Sequence, residues 1–281
     1  MDEFDLIRRF FSRDAEATGT VVGVGDDGAV LQPTPGTQQI QVTDTLVEGV
    51  HFPANIGAAD IGYRSVAVNL SDIAAMGARP RWMTLALTLW DKDEEWVEAF
   101  AAGLFEAAAE HGVSLVGGDT TQGDSVVVTM HISGEVEEGA AILRSGAKPG
   151  DTVYVTGTVG DAAAGLELLR EGVDEDELVR RFLRPTARIA QGLQMSGRVH
   201  SAIDVSDGLV ADLRKLLDAS GVGAEIDIEK VPLSAALLAR FDTDSATRFA
   251  LTGGDDYELC FTAPADAVAG IENITAIGTV T

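Results

Sequence analysis

Six short acidic segments, each set among Gly, Ser or Thr, recur along the chain: GDDGAV with Asp26 and Asp27, TDTLVEGVHF with Asp44, NLSDIAAMGA with Asp72, GGDTT with Asp119, DVSDGL with Asp204 and Asp207, and GGDDYEL with Asp255 and Asp256. Carboxylates on turns of small residues suit a hard divalent cation such as Mg2+, which takes oxygen ligands at short range. The chemistry they suggest is metal-assisted handling of phosphate.

The segments differ in what else they offer. Asp26 and Asp27 share a glycine-rich turn, where neighbouring side chains point apart; one is expected to ligate while the other caps or orients, unless the segment is only an Asp-Gly turn. Thr43, Asp44 and Thr45 put two hydroxyls beside a carboxylate at the expected end of a strand, a set able to hold metal and phosphate together. Asp72 falls in an apolar helical stretch with Val66, Leu70, Ile73, Ala74 and Met76. Burying an unpartnered carboxylate there costs on the order of several kcal/mol, which a bound cation offsets. Gly117 and Gly118 let backbone approach a phosphate, with Asp119 placed to bind a cation across it. In DVSDGL, Asp204 ends a strand, Ser206 can donate to a phosphate oxygen, and Asp207 sits at a helix N-terminus, where an acid is also an ordinary cap. GGDDYEL adds Asp255, Asp256 and Glu258. Of the bases, Arg144 in ILRSG either clamps a phosphate or is a surface arginine, and His51 is the one histidine inside a signature.

The sequence offers no evident Ser-His-Asp or Cys-His arrangement and no evident general base. Phosphoryl transfer to an alcohol needs a group to take the proton. An acceptor that is already an ionised phosphate needs none, but it must approach a polyphosphate of like charge, and each pair of unit charges about 4 Å apart repels by about 4 kcal/mol at an effective dielectric of about 20. Cations held by surplus aspartates remove that barrier, so the pattern favours transfer from phosphate to phosphate.

The elements that must position these groups follow from the rest of the text. The 281 residues suit one large domain or two of about 140. Forty-five acids against 20 bases give a net charge of -25, which argues against free nucleic acid or an anionic membrane as a partner. The single cysteine, Cys260, excludes an internal disulfide, and its place in the alternating run YELCFTA reads as a small buried hydrophobe. No stretch approaches the roughly 18 apolar residues of a membrane helix and the N-terminus is acidic, so a cytoplasmic protein is expected.

Periodicity predicts a short helix through Phe4, Ile7, Phe10 and Phe11, a strand over 38–43, a helix over 59–76 stopping at Gly77, a strand over 81–90 and a helix over 94–112. It also predicts a short buried strand running into a turn at Gly117–Gly118, then a strand over 125–136. Beyond a turn at 148–151 come a strand over 152–156, a helix from Asp161, a helical stretch over 175–196, strand–turn–helix over 201–221, a helix in LSAALLARF, and strands in AEIDIE, YELCFTA and NITAIGTV. A boundary at 143–150 divides residues 1–145 from 146–281, each half an α/β sheet covered by helices. Neither half carries GxGxxG or a Walker A run after a strand.

In order and spacing, GDDGAV, TDTLVEGVHF, NLSDIAAMGARP, VGGDTT, DVSDGL and GGDDYEL together resemble the thiamine-monophosphate kinase family. That family lies in the superfamily of aminoimidazole ribonucleotide synthetase, selenophosphate synthetase and a hydrogenase maturation factor. The resemblance covers about Phe4 to Thr281. It implies ATP- and Mg2+-dependent phosphorylation of thiamine monophosphate by direct in-line transfer, with several Mg2+ ions per site and ATP as co-substrate. It also implies a homodimer whose N-terminal mixed sheets pair into a β-barrel beside C-terminal α/β sandwich domains. Carried onto this sequence, it makes Asp27, Thr43, Asp44, Asp72, Asp119, Asp204 and Asp207 the metal ligands, Gly118, Asp119, Arg144 and Ser206 the ATP contacts, and His51 with Asp255 or Glu258 the contacts to thiamine monophosphate. The family pattern has Glu where Asp255 stands, and its members tend to continue beyond Thr281 with a late aromatic residue on the substrate. Selenophosphate synthetase and the maturation factor would require cysteines that Cys260 does not match; the aminoimidazole ribonucleotide cyclo-ligase is the nearest enzyme alternative, and a non-catalytic nucleotide or metal binder the alternative of another class.

Overall fold

The computed structural model describes residues 3–13, 18–90 and 93–281. The chain divides into two compact units, one of Met1–Ile73 with Arg79–Gly139, the other of Ala74–Ala78 with Ala140–Thr281.

In the first unit, α1 (Glu3–Leu6) continues into a π-helical turn, Ile7–Phe11, that buries Leu6, Phe10 and Phe11; the side chain of Phe4 lies outside the described residues. A short ribbon of β1 (Thr20–Val22) and β2 (Val30–Leu31) precedes the main elements. These are β3 (Thr37–Val47), α2 (Ala58–Ala75), β4 (Arg79–Leu89), α3 (Glu94–His111), β5 (Ser114–Gln122) and β6 (Val127–Glu137). The sheet order is β3-β6-β4-β5, with β4 and β5 parallel and the other pairs antiparallel. A parallel pair needs a crossover, and α3 supplies it.

Strand alternation decides which face is apolar. Val128, Met130 and Ile132 of β6 and Leu85, Leu87 and Leu89 of β4 are buried, and the side chain of Ile73 from α2 packs at Gly134 on this face. The other face carries Gln41, Thr43, Thr45, Thr129 and His131. Helix α3 begins where Asp93 accepts the N–H of Glu95 at 3.1 Å and ends at Gly112, whose φ of 66° lets the chain leave in the left-handed region. The two helices touch backbone to backbone: a Cβ at Gly103 would lie 1.8 Å from the carbonyl oxygen of Ala59, so a side chain there would force them apart.

Two expectations change here. β3 does not end at 43 but runs on to Val47, so Thr43 and Asp44 lie inside the strand. Gly117 and Gly118 are not a turn but the middle of β5, where an irregularity in the pairing with β4 accommodates them.

The second unit contains β7 (Thr152–Thr156), α4 (Asp161–Arg170), α5 (Glu177–Leu183), α6 (Ile189–Met195), β8 (Ser201–Asp204), α7 (Leu209–Ser220), β9 (Ala224–Ile226), α8 (Ala235–Arg240), α9 (Thr243–Thr252), β10 (Leu259–Ala263) and β11 (Ile274–Val280). The strands form one antiparallel sheet in the order β8-β10-β7-β11-β9. Its core gathers Val153, Val155, Ile203, Leu213, Leu216, Ile277 and Cys260, whose thiol is pushed up to about 12 by burial and so packs as the expected small hydrophobe. The stretch 175–196 is two helices rather than one, because Pro185 cannot continue the hydrogen-bond ladder of α5 and biases Arg184 away from helical geometry. Helix α9 was not anticipated. Its legible signal is the cap, in which Asp242 accepts the N–H of Ser245 at 2.9 Å. No described helix is long and apolar enough to cross a membrane.

Candidate functional site

Asp27 and Asp119, 92 positions apart by their numbers, line one cavity of about 560 Å3 in the first unit. Asp26 turns its carboxylate onto the backbone N–H of Asp27 at 2.8 Å, a cap of the kind adjacent acids on a turn allow. Gly117 and Gly118 pave the cavity beside Asp119, while Ile7, Phe11, Leu85 and Leu115 give it an apolar side. Arg8 brings a cation to the wall and also pairs with Asp5. Gly118 is glycine for a reason inside the sheet: a Cβ there would lie 2.0 Å from the carbonyl oxygen of Leu85 on the neighbouring strand.

Asp44 lies on the α2 side of β3. Its N–H donates to Oδ1 of Asn69 at 3.0 Å, and Asp72, three residues along α2, shares the Asn69 face of that helix. Burial raises the Asp44 carboxyl above its ordinary value, and the charge of nearby His51 opposes that rise. His51 follows the end of β3, and its Nδ1 accepts the N–H of Val47 at 3.0 Å, so Nε2 carries the proton of the neutral ring. Thr43 points the other way. Its hydroxyl meets Nδ1 of His131 at 2.8 Å, because side chains alternate across a strand. The expectation that Thr43 and Asp44 act from one strand end is therefore not met at the level of side chains.

In the second unit, Asp204 closes β8 and is buried. Asp207 does not cap α7. Instead Asp212, in the first turn of the helix, reaches back to the preceding turn, where its Oδ2 accepts the N–H groups of Ser206 and Asp207 at 2.9 Å and of Gly208 at 3.1 Å. Its Oδ1 receives Nζ of Lys215 at 2.8 Å, and the same Nζ reaches Asp207 at 2.5 Å. The two carboxylates raise the pKa of Lys215. Asp255 joins this turn through its N–H, which donates to the carbonyl of Ser206 at 2.9 Å. Asp255 and Tyr257 stand at φ of 70° and 53°, and the Tyr257 hydroxyl donates to Asp255 at 3.2 Å. Between them Asp256 is buried, accepting the N–H groups of Gly160 at 2.6 Å and Ala162 at 3.1 Å at the start of α4. Its carboxyl is pushed up to about 8, chiefly by burial.

Glu258 is not presented to a ligand. It is fully buried, accepting from the Thr156 hydroxyl at 2.6 Å, Arg181 at 2.8 Å and Arg188 at 2.6 and 2.5 Å. Arg144 stands apart in an exposed loop, its carbonyl accepting the Ser220 hydroxyl at 3.2 Å. Asp212, Lys215, Arg181 and Arg188 were not singled out in the sequence; only Asp212 left a sign, as an acid in the first turn of a helix.

Among the described residues no group of three or more His, Cys, Asp or Glu side chains converges on a metal position. The donor chemistry nevertheless fits Mg2+: Asp27, Asp119, Asp44 and Asp72 are carboxylates, and the burial that disfavours a charge on Asp44 is a cost a bound cation would offset.

Two domain families match the chain: AIR synthase related protein, N-terminal domain, over residues 25–136, and AIR synthase related protein, C-terminal domain, over residues 148–281. Together they define a two-domain synthetase-like α/β protein. Thiamine-monophosphate kinase of Escherichia coli K12 is 49% identical over 270 residues, covering 93% of this chain and 82% of that protein. The crystal structure of thiamine-monophosphate kinase from Stenotrophomonas maltophilia K279a superimposes with a TM-score of 0.92 at 43% identity, covering 100% of this chain and 94% of that one. A structure of AaThiL complexed with AMPPCP and TMP gives 0.83 at 35% identity, covering 99% and 89%. The chain belongs to the thiamine-monophosphate kinase family.

Proposed function

We propose that this protein transfers the γ-phosphoryl group of ATP to the phosphate of thiamine monophosphate, giving thiamine diphosphate and ADP. The observation that carries the reading is the 49% identity to a thiamine-monophosphate kinase across 93% of the chain. An acidic, glycine-paved cavity supports it from the chain's own chemistry. An oxygen of the acceptor phosphate forms the new bond to the γ-phosphorus as the bond from that phosphorus to the β–γ bridging oxygen breaks. The acceptor is already ionised, so no side chain has to remove a proton.

In the first unit Asp27, Asp44, Asp72 and Asp119 are the groups we assign to hold Mg2+; in the second unit, taken by itself, they are Asp204 and Asp207. When bound, the ion supplies the positive charge that lets two phosphate-bearing anions approach. The backbone of Gly117 and Gly118, which lines the cavity beside Asp119, is assigned to the nucleotide phosphates. In the first unit His51, through Nε2, is assigned to thiamine monophosphate; in the second unit Asp255 is assigned to thiamine monophosphate, and Ser206 and Arg144 to ATP. The reaction belongs in the cytoplasm, where ATP is available.

Incubating the protein with ATP, Mg2+ and thiamine monophosphate is expected to yield thiamine diphosphate, read by chromatography. Nucleotide binding without turnover on that substrate, or turnover on formylglycinamidine ribonucleotide instead, would overturn the assignment. The polar sheet face bearing Thr43, Thr45, Thr129 and His131 is assigned to a second copy of the chain. Sedimentation should therefore report a dimer, and a monomer at micromolar concentration would sink that assignment.

A further inference from the structure

The ammonium of Lys215 stands where a cation bound by Asp207 would stand. Its Nζ lies 2.5 Å from Asp207 Oδ2 and 2.8 Å from Asp212 Oδ1. Asp212 is fully buried, and its other oxygen is taken up by three successive backbone N–H groups of the Ser206–Gly208 turn. Asp212 is thus a rigid anchor: one oxygen shapes the turn and the other fixes the lysine. Asp207 differs, because its side chain is 66% exposed and is engaged by that lysine. An ammonium donates three hydrogen bonds and accepts none, so as long as it holds Asp207 it neutralises the charge a divalent ion would use.

The lysine is partly open to solvent. Its side chain is 43% exposed and lines an open groove of about 520 Å3 with Val210, Arg214 and Thr252, which gives it room to swing off Asp207 while staying near Asp212. We propose that Lys215 is a displaceable internal counter-ion for Asp207, a positioning residue that competes with Mg2+ for this carboxylate and so sets how much Mg2+ the enzyme needs. This rests on the assignment of Asp207 as a metal ligand. Without the metal, the lysine offsets the charge of Asp207 while Asp212 shapes the turn; with it, Asp207 is released and Lys215 retains Asp212.

The test compares wild type, Lys215→Gln, Lys215→Arg and Asp207→Asn. Half-saturating Mg2+ is read from turnover and, independently of turnover, from the rise in unfolding temperature as Mg2+ is added with the non-hydrolysable analogue AMPPCP. Lys215→Gln keeps the apolar stem and removes the charge, and it is expected to lower half-saturating Mg2+ by about two- to fivefold, the range a partly exposed ion pair supports. Lys215→Arg is expected to keep the wild-type value. An unchanged or raised value for Lys215→Gln in both measurements, while Asp207→Asn weakens the Mg2+ response, would overturn the role of Lys215 alone. A wild-type Mg2+ response in Asp207→Asn would overturn the metal assignment of Asp207 and this inference with it.

Discussion

Asp72→Asn should lower kcat by about 100- to 1000-fold, the loss that follows removal of one preorganised electrostatic contact at a reacting centre. The unfolding temperature should stay close to that of the wild type. The side chain is half-buried on α2, in a stretch where Val66, Leu70 and Ile73 are fully buried, and Asn has nearly the same volume. The substitution removes a charge without opening a cavity. Asp72 shares its helix face with Asn69, whose Oδ1 holds the backbone of Asp44, so the loss falls on the face of α2 that meets β3 at Asp44. Steady-state kinetics over a Mg2+ series, beside a thermal melt, separate the outcomes. Near-normal kcat at saturating Mg2+ would refute a metal role for Asp72, whereas a collapse of the melt would assign it to folding.

Glu258→Gln should act in the opposite way, costing about 3 kcal/mol of stability, the lower end of what breaking a buried ion pair removes. Glu258 is fully buried, while Arg181 and Arg188 keep 19% and 16% of their side-chain surface and so retain some solvation when the partner charge is lost. The buried Thr156 hydroxyl keeps a hydrogen-bond partner in the amide, which restrains the penalty. Denaturant unfolding reads the loss directly. If stability were unchanged and the KM for thiamine monophosphate rose, Glu258 would be a substrate contact and the structural role would fail.

These two residues mark how far sequence reading reaches. Asp72 was legible because its setting is local: apolar positions spaced along one helix announce both the helix and the anomaly of an acid among them. The same local rule gave α2, α3 and their glycine stops, the covered sheet in each half, and the buried Cys260. It also gave the six acidic segments and their likeness to one enzyme family. Glu258 was not legible, because its partners Arg181, Arg188 and Thr156 lie 77, 70 and 102 residues away and nothing in DYELC points to them.

The other corrections have the same origin. A strand alternates its faces wherever it ends, so extending β3 to Val47 sent Thr43 toward His131 and Asp44 toward Asn69. Gly118 looked like an opening for phosphate, and the carbonyl of Leu85 on a paired strand is a second reason for glycine there that the sequence did not announce. Asp207 looked like a helix cap until Asp212 was found folded back over the turn with Lys215 behind it. Which residues can carry charge, turn or pack is readable from the amino acids alone, since it follows from side-chain chemistry and from periods of two and 3.6 residues. Which carboxylates are spent on internal partners and which line a cavity emerges with the folded chain, because it depends on contacts between segments far apart in the sequence.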